Sequence, residues 1–208
     1  MKQTAEARWF YNQPTPPEVR NWFCGAHLCR EETVRTDHYL VLEGSNEASV
    51  KVRGGEKFEI KARTEPPAPL MLLTGASVGF EDGWVKWTLE DCEAAARMAE
   101  LGTGSSEWVP VTKHRWLRKF SLDPTGQVEE IDADAVVEHG ARAEYCEVNV
   151  RDSKWWTIAF ESFGETNRMT NLEQVARHFL RNLPHGLALT ELTSMAYPEW
   201  LNRLAGQK

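Results

Sequence analysis

The stretch that decides the fold lies between Arg35 and Arg63. It reads Arg35-Thr36-Asp37-His38-Tyr39-Leu40, then Ser49-Val50-Lys51-Val52-Arg53, then Phe58-Glu59-Ile60-Lys61-Ala62-Arg63. Each segment alternates with period two, the signature of a half-buried strand. Val50 and Val52 stand against Lys51 and Arg53. Phe58, Ile60 and Ala62 share one face, and Glu59, Lys61 and Arg63 share the other. Gly54-Gly55 between the last two segments is a hairpin signal, because both residues tolerate positive φ. Residues 33–42 therefore read as one strand, and 48–53 with 58–63 as a hairpin.

The same alternation extends outward. Residues 6–11 form a short strand candidate. Pro14-Thr15-Pro16-Pro17 breaks it, and Thr15 can cap a helix over 16–23 with proline in its first turn. Glu65-Pro66-Pro67-Ala68-Pro69 reads as a loop that ends the central hairpin. Residues 78–80 and 84–89 look like another hairpin, turning at Glu81-Asp82-Gly83. Residues 90–101 hold good helix formers, Ala94, Ala95, Ala96 and Met98. Residues 108–120 form a long strand with Val109, Val111, Lys113, Arg115 and Leu117 on one face. Residues 143–151 and 154–163 make a final hairpin over Asp152-Ser153. Asn171 is placed to cap a helix to 182 with an apolar stripe of Leu172, Val175, Ala176, Phe179 and Leu180. A short helix over 198–204 closes the chain. Eight or nine strands joined by tight turns, with helices near both ends, favour an antiparallel barrel or a strongly curved sheet over a parallel α/β fold.

Composition agrees with a folded chain. The 208 residues are 41% hydrophobic and 26% charged, values that argue against wholesale disorder. Nine tryptophans can supply a large core. The net charge of −7 argues against a nucleic-acid or anionic-membrane partner. No run reaches the 18 apolar residues of a membrane helix and no signal-peptide core is present at the N-terminus, so the cytoplasm is the expected compartment. Cys24, Cys29, Cys92 and Cys146 are too scattered for a disulfide scaffold or a paired zinc site, and read as reduced, mostly buried thiols.

The charged strand faces allow two readings. Arg35 with Asp37, Lys51 with Arg53, Glu59 with Lys61 and Arg63, Lys86, and Lys113 with Arg115 recur at alternate positions on consecutive strands. They could form a solvated outer face with cross-strand ion pairs, each worth under about 1 kcal/mol. They could instead line a closed barrel. An empty interior of like charges would repel and lose solvation, so it would have to hold water, carboxylates and an anion such as a phosphate chain. Trp84, Trp87, Trp116, Trp155 and Trp156 lie in these same strands. If their aromatic faces pack outward against helices, the cationic faces are left to point inward.

The three segments quoted first resemble the CYTH, or triphosphate tunnel metalloenzyme, superfamily. That family has an Asp-x-Tyr element, a strand carrying Arg, and a Glu/Leu-x-Lys-x-Arg strand. Its later Lys-x-Arg strand looks like Lys113-His114-Arg115, and its C-terminal acidic strands look like Glu147-Val148-Asn149 and Ala159-Phe160-Glu161. The order holds over roughly residues 5 to 163. The resemblance implies an α+β fold built on an eight-stranded antiparallel barrel, residues 1–165, with a C-terminal helical segment, 166–208, packed on it. It implies that Arg35, Lys51, Arg53, Lys61, Arg63, Lys86, Lys113 and Arg115 hold a triphosphate. It implies catalytic roles for Glu59 and Glu161, and a divalent ion, Mg²⁺ or Mn²⁺, on Glu6, Glu147 and Glu161. Activities implied include hydrolysis of tripolyphosphate or thiamine triphosphate and adenylyl cyclisation, chemistry that depends on positioned cations. The partner implied is a small phosphate-bearing anion.

The first strand departs from the family. Its Glu-x-Glu-x-Lys element reads Glu6-Ala7-Arg8-Trp9-Phe10 here, and Asn149 follows Glu147 where a second carboxylate would stand. Losing hard oxygen ligands weakens divalent-metal binding. A non-catalytic polyanion-binding module of the same fold is therefore the alternative, with Arg8 as a fixed charge at the lost position. An unrelated lipocalin-like barrel for an apolar ligand would require apolar inward faces. The six histidines show no zinc pattern, Ser105-Ser106 lacks a nucleophile elbow, and Gly102-Thr103-Gly104 lacks the Lys of a phosphate loop. Trp155-Trp156 reads as core packing rather than a stacking platform.

Overall fold

The computed structural model describes residues 1–71, 77–90, 93, 97–98, 100 and 107–206. Among these are ten strands and three α-helices: β1 (Lys2–Tyr11), α1 (Pro17–Cys24), β2 (Arg30–Glu31), β3 (Arg35–Leu40), β4 (Ala48–Arg53), β5 (Lys57–Met71), β6 (Ser77–Leu89), β7 (Trp108–Leu122), β8 (Val128–Ile131), β9 (Gly140–Val150), β10 (Ser153–Phe163), α2 (Arg168–Phe179) and α3 (Tyr197–Ala205). Eight strands close on themselves in the order β7-β3-β4-β5-β6-β1-β10-β9, with β9 returning to β7. Every pairing is antiparallel, and closure removes the exposed edges that an open sheet would carry. The short β2 and β8 pair with β7 outside this ring. The fold is thus the α+β, eight-stranded antiparallel barrel with helices near both ends that was expected.

Alternation splits each strand between an outer and an inner wall. Ala5, Ala7 and Trp9 of β1 point outward, as do Tyr145 of β9 and Trp156, Ile158 and Phe160 of β10. They pack with Val19 and Phe23 of α1 and Leu172, Val175, Ala176 and Phe179 of α2 in one buried cluster. Aromatic edges bind it. Trp9 meets Phe160 edge-on with centroids 6.2 Å apart, and Phe179 lies 5.6 Å from Phe120 and from Phe160. Such pairs add about 0.5–1.5 kcal/mol each beyond burial.

A second apolar cluster lies inside the barrel at one end. Phe10, Tyr39, Val109, Val111, Cys146 and Val148 surround Trp200 and Leu201 of α3. Phe10 stacks on Trp200 at 4.6 Å, and Tyr39 stacks on Tyr197 at 5.2 Å. The last helix therefore plugs one barrel end, while α2 covers the outside.

Several local expectations are corrected. β6 is one continuous strand, with no hairpin turn at 81–83. Gly83 pairs with both Ala5 and Glu65. Its missing side chain matters for approach: a Cβ there would stand 3.0 Å from Glu65 Cβ and 3.1 Å from Thr64 Oγ1. β5 likewise runs on through Pro66, Pro67 and Pro69 instead of ending in a loop. Its pairing with β4 stops at Ala62, and its register with β6 shifts at Arg63/Glu65 and Glu65/Ala68. A strand free on one side and bulged on the other can accept residues without an N–H. At α1 the N-cap is Pro16 with no side-chain cap, and the Thr15 hydroxyl instead accepts a hydrogen bond from Tyr145 at 2.9 Å. α2 starts before Asn171, after Asn167 in a left-handed conformation (φ 55°), and tightens into a 3₁₀ turn over Leu180–Asn182. The Asn171 N–H bonds back to the Asn167 carbonyl within the first turn.

The tryptophans divide between the walls. Trp9, Trp116 and Trp156 join the outer cluster, whereas Trp84 lines the interior and Trp155 meets Trp200 edge-on at 5.7 Å. Trp156 stacks on Tyr11 at 4.1 Å, so the Trp155-Trp156 pair is packing. The helix expected over 90–101 lies for the most part outside the described residues, as do Cys92, Gly102-Thr103-Gly104 and Ser105-Ser106. Cys24, Cys29 and Cys146 are free thiols, Cys146 fully buried. Among the described residues no helix is long and apolar enough to cross a membrane.

Candidate functional site

The inner wall encloses a cavity of about 800 Å³. Strand parity places its charges. β1 contributes Glu6 and Arg8, β3 Arg35, β4 Lys51 and Arg53, β5 Glu59, Lys61 and Arg63, β6 Asp82 and Lys86, β7 Lys113, Arg115 and Lys119, β9 Arg142 and Glu144, and β10 Glu161. All eight residues expected to hold phosphate line this one cavity. Glu6, Glu59 and Glu161 line it as well. Glu147 does not: it faces outward beside Arg20 at 3.6 Å, three residues along β9 from inward-facing Glu144. An odd spacing puts the two on opposite faces of the strand.

Most of these charges are organised around carboxylate hubs. Asp37, fully buried on β3, accepts from Arg35 Nε at 3.0 Å and sits 3.4 Å from Lys51 Nζ and 3.5 Å from Lys113 Nζ. Glu59 takes Lys51 at 3.1 Å and Arg53 at 3.5 Å. Glu144 takes Arg8 at 2.6 Å and Arg115 at 3.0 Å. Glu32, just before β3, takes Arg115 at 2.6 Å and Arg35 at 3.3 Å. Asp82 takes Arg63 at 3.0 Å, and Glu6 is bound by Lys61. Arg8 is therefore a partner of Glu144 and Thr157, not a charge held in reserve.

The electrostatics follow from the packing. Burial works to raise the pKa of Asp37, but Lys51, Lys113 and Arg35 outweigh it and hold the carboxyl well below its usual range. Glu144 is lowered in the same way, burial being outweighed by Arg8 and Arg115. Glu59 falls to about 2 because Lys51, Lys86 and Arg53 overcome burial. Lys113 shows the opposite balance. Burial dominates, the Asp37 charge compensates in part, and the amine is pushed down to about 7. Its Nζ donates to the Tyr39 hydroxyl at 2.6 Å and stands 3.8 Å over the Tyr197 ring.

A different arrangement occupies the end opposite the α3 plug, where β1 and β9 begin and β6, β7 and β10 end. Lys2, Lys86, Lys119 and Arg142 line the cavity there and make no ion pair among the described residues. Burial lowers the pKa of Lys86 and of Lys119. Arg142 lies 5.1 Å from the Phe163 ring centroid, and Lys119 donates to the Ala135 carbonyl of the segment 133–137 that borders this end. Glu161 also makes no ion pair, yet Lys61, Lys86, Lys2 and Arg142, acting against burial, bring its carboxyl to about 2.

Sequence reading missed Lys2, Lys119, Arg142, Asp37 and Glu144 as site residues. The signal for three of them was present: Lys119 continues the face of Lys113 and Arg115, and Asp37 lies between Arg35 and Tyr39. Glu144 shares its face with Arg142 by the same count. Lys2 was missed because the first strand was read from residue 6.

Among the described residues no three of His, Cys, Asp or Glu are disposed to share an ion. Glu6 and Glu161 are cross-strand partners on the inner wall. Glu6 is already bound by Lys61, and Mg²⁺ is as a rule held by one or two carboxylates together with phosphate oxygens and not by a cage built wholly by protein.

Fold and site together define a closed eight-stranded antiparallel barrel with a charge-lined interior. No known protein family matches the chain, and no curated protein matches it. Among solved structures it is similar to the PH1012 protein from Pyrococcus horikoshii OT3, at 12% identity over 84% of this chain and 89% of that one, with a TM-score of 0.40. It is also similar to a conserved hypothetical protein from Pyrococcus furiosus, at 12% identity over 94% and 98% of the two chains, with a TM-score of 0.46.

Proposed function

We propose that this chain binds a small phosphate-bearing polyanion inside its barrel, a triphosphate chain carried as inorganic tripolyphosphate or on a nucleoside or thiamine. One observation carries the reading. Among the described residues, 13 cationic side chains line this single cavity against 8 acidic ones, although the whole chain has 24 cationic and 31 acidic side chains. A chain with a net charge of −7 thus keeps a cationic interior. Such a cavity rejects the apolar ligand of a lipocalin-like barrel and favours an anion with several charged oxygens. Its volume of about 800 Å³ suits a small molecule. An acidic exterior would admit small anions in preference to nucleic acid or an anionic membrane. The resemblance to the triphosphate tunnel family points to the same ligand.

Metal and catalysis belong to the same proposal at a second level. Glu6 and Glu161 would hold Mg²⁺ or Mn²⁺ together with the ligand's own oxygens. The ion would supply charge neutralisation on the phosphates. A non-catalytic binding module is the second reading, and the Arg8–Glu144 pair favours it. That guanidinium occupies the first-strand position where the family carries its second carboxylate, and it engages a further carboxylate itself.

The test measures binding and phosphate release with tripolyphosphate, ATP and thiamine triphosphate, with Mg²⁺ or Mn²⁺, for the wild type and the Lys61→Ala/Arg53→Ala variant. Binding that the variant weakens supports the reading. Metal-dependent release in addition makes the protein a triphosphatase, and binding without release makes it a binding module. Absence of both binding and release in the wild type overturns the proposal.

A further inference from the structure

Thirteen cations line the cavity, but they are not equivalent. Nine of them, including Arg30 of β2 at 3.7 Å from Glu32, are paired with carboxylates, so the anion they need is already built in. The remaining four, Lys2, Lys86, Lys119 and Arg142, make no ion pair among the described residues and gather at the end opposite the α3 plug. The register sets them side by side. Lys2 is the cross-strand partner of Lys86, and Lys119 that of Arg142. Lys86 is also paired across the β5–β6 ladder with Lys61. Like charges directly opposite on neighbouring strands are unfavourable. Here they recur on both walls of one opening, with the Glu161 carboxylate among them offsetting part of the repulsion in the ligand-free protein, and a bound anion would relieve the remainder.

We propose that this end cluster, and not the hub-paired centre of the barrel, is the primary phosphate-binding position, with Lys86 and Arg142 as the contacts that hold the terminal phosphate of the chain. The inference rests on the polyanion-binding reading and locates the ligand within it. Three features support the assignment. These cations need not break an existing ion pair to bind a ligand, whereas Lys51, Arg53 and Arg115 would each have to leave a carboxylate. Lys119 and Arg142 both lie against the Phe163 ring, at 5.4 Å and 5.1 Å, which holds their charged ends at the opening. Glu161 is the cross-strand partner of Arg142 and makes no ion pair, so it stands beside the proposed phosphate position where a ligand-borne cation would sit.

The test uses the full chain and inorganic tripolyphosphate, with sodium sulfate at matched ionic strength as control. Affinity is measured by titration calorimetry, and melting temperature is recorded with and without ligand. For the Lys86→Gln/Arg142→Gln variant we expect affinity for tripolyphosphate to fall by about 10-fold or more while the ligand-free melting temperature stays level or rises. A merely structural role for the pair would lower it. Lys2→Gln, at an exposed strand end, provides a second variant that leaves the fold alone, with a smaller loss of a few-fold expected. Wild-type binding that neither variant weakens overturns the end-cluster assignment and leaves the polyanion reading intact. Wild-type heats no larger than those of sulfate overturn both.

Discussion

The centre of the barrel and its unplugged end are lined by the same residue types and behave oppositely. In the centre, Asp37, Glu59, Glu144 and Glu32 each gather two or more cations. At the end, Lys2, Lys86, Lys119 and Arg142 face one another across strand pairs, and among the described residues none forms an ion pair, with Glu161 the carboxylate nearby. Cation count alone therefore does not locate an anion site. What locates it is the charge left over after the protein has satisfied itself, because a buried ion pair gives up its partner only at a high desolvation penalty.

Removing a hub from the centre should have the greatest consequence. Asp37→Ala strips Arg35, Lys51 and Lys113 of a shared, fully buried carboxylate. Breaking a buried pair from one side destabilises by about 3–5 kcal/mol. Urea denaturation of the variant is expected to show a loss of that size. A loss below about 1 kcal/mol would mean that the central network is not the structural element described here. By contrast, Lys86→Gln at the unplugged end should leave the unfolding free energy from urea denaturation within about 0.5 kcal/mol of wild type, as for substitutions away from such features. A large loss there would erase the distinction between the two regions.

A smaller effect concerns pH. The Lys113 amine titrates in the folded state near 7, below the value of about 10.4 for an unfolded lysine. Between these values the unfolded chain binds the extra proton, so this group makes stability rise with pH across that window. Lys113→Met should flatten the rise measured by thermal melts from pH 7 to 9. Glu81, on the outer face of β6, has the opposite sign. Burial, with Glu173, Asp82 and Glu65 nearby, raises its carboxyl to about 8, and one of its oxygens has no hydrogen-bond partner. Its protonated form favours the fold at low pH, and that contribution is lost as pH rises from about 4.3 toward 8. Glu81→Gln should therefore raise the melting temperature at pH 8 and change it little at pH 4. An equal shift at both values would contradict the assignment.

Much of the wall was legible in sequence because alternation survives in single strands. Lys51 and Arg53, or Lys61 and Arg63, share a face whatever the sheet does. Which face turns inward was not legible, since period two is the same for a solvated outer surface and a barrel lining. That choice is made by α1 and α2, whose apolar stripes cover the Ala5, Ala7 and Trp9 side of the wall. The continuity of β5 and β6 was hidden for a related reason. Pro66 and Gly83 normally mark turns, and here they serve a bulge and a close strand approach that arise only when a third strand is present. The α3 plug was visible as a helix, but its entry into the barrel depends on Phe10 and Tyr39, which are distant in sequence. Glu147 was misplaced by motif matching, which counted it as a site carboxylate although its odd spacing from Glu144 turns it outward.

The most direct test of the central claim is a crystal structure of the protein with tripolyphosphate. Phosphate density is expected inside the barrel, with a terminal group contacting Lys86 and Arg142 and the Asp37 and Glu144 ion pairs unbroken. Density confined to the outer surface, or an interior phosphate seated on Lys51 and Arg115 with those pairs opened, would contradict it.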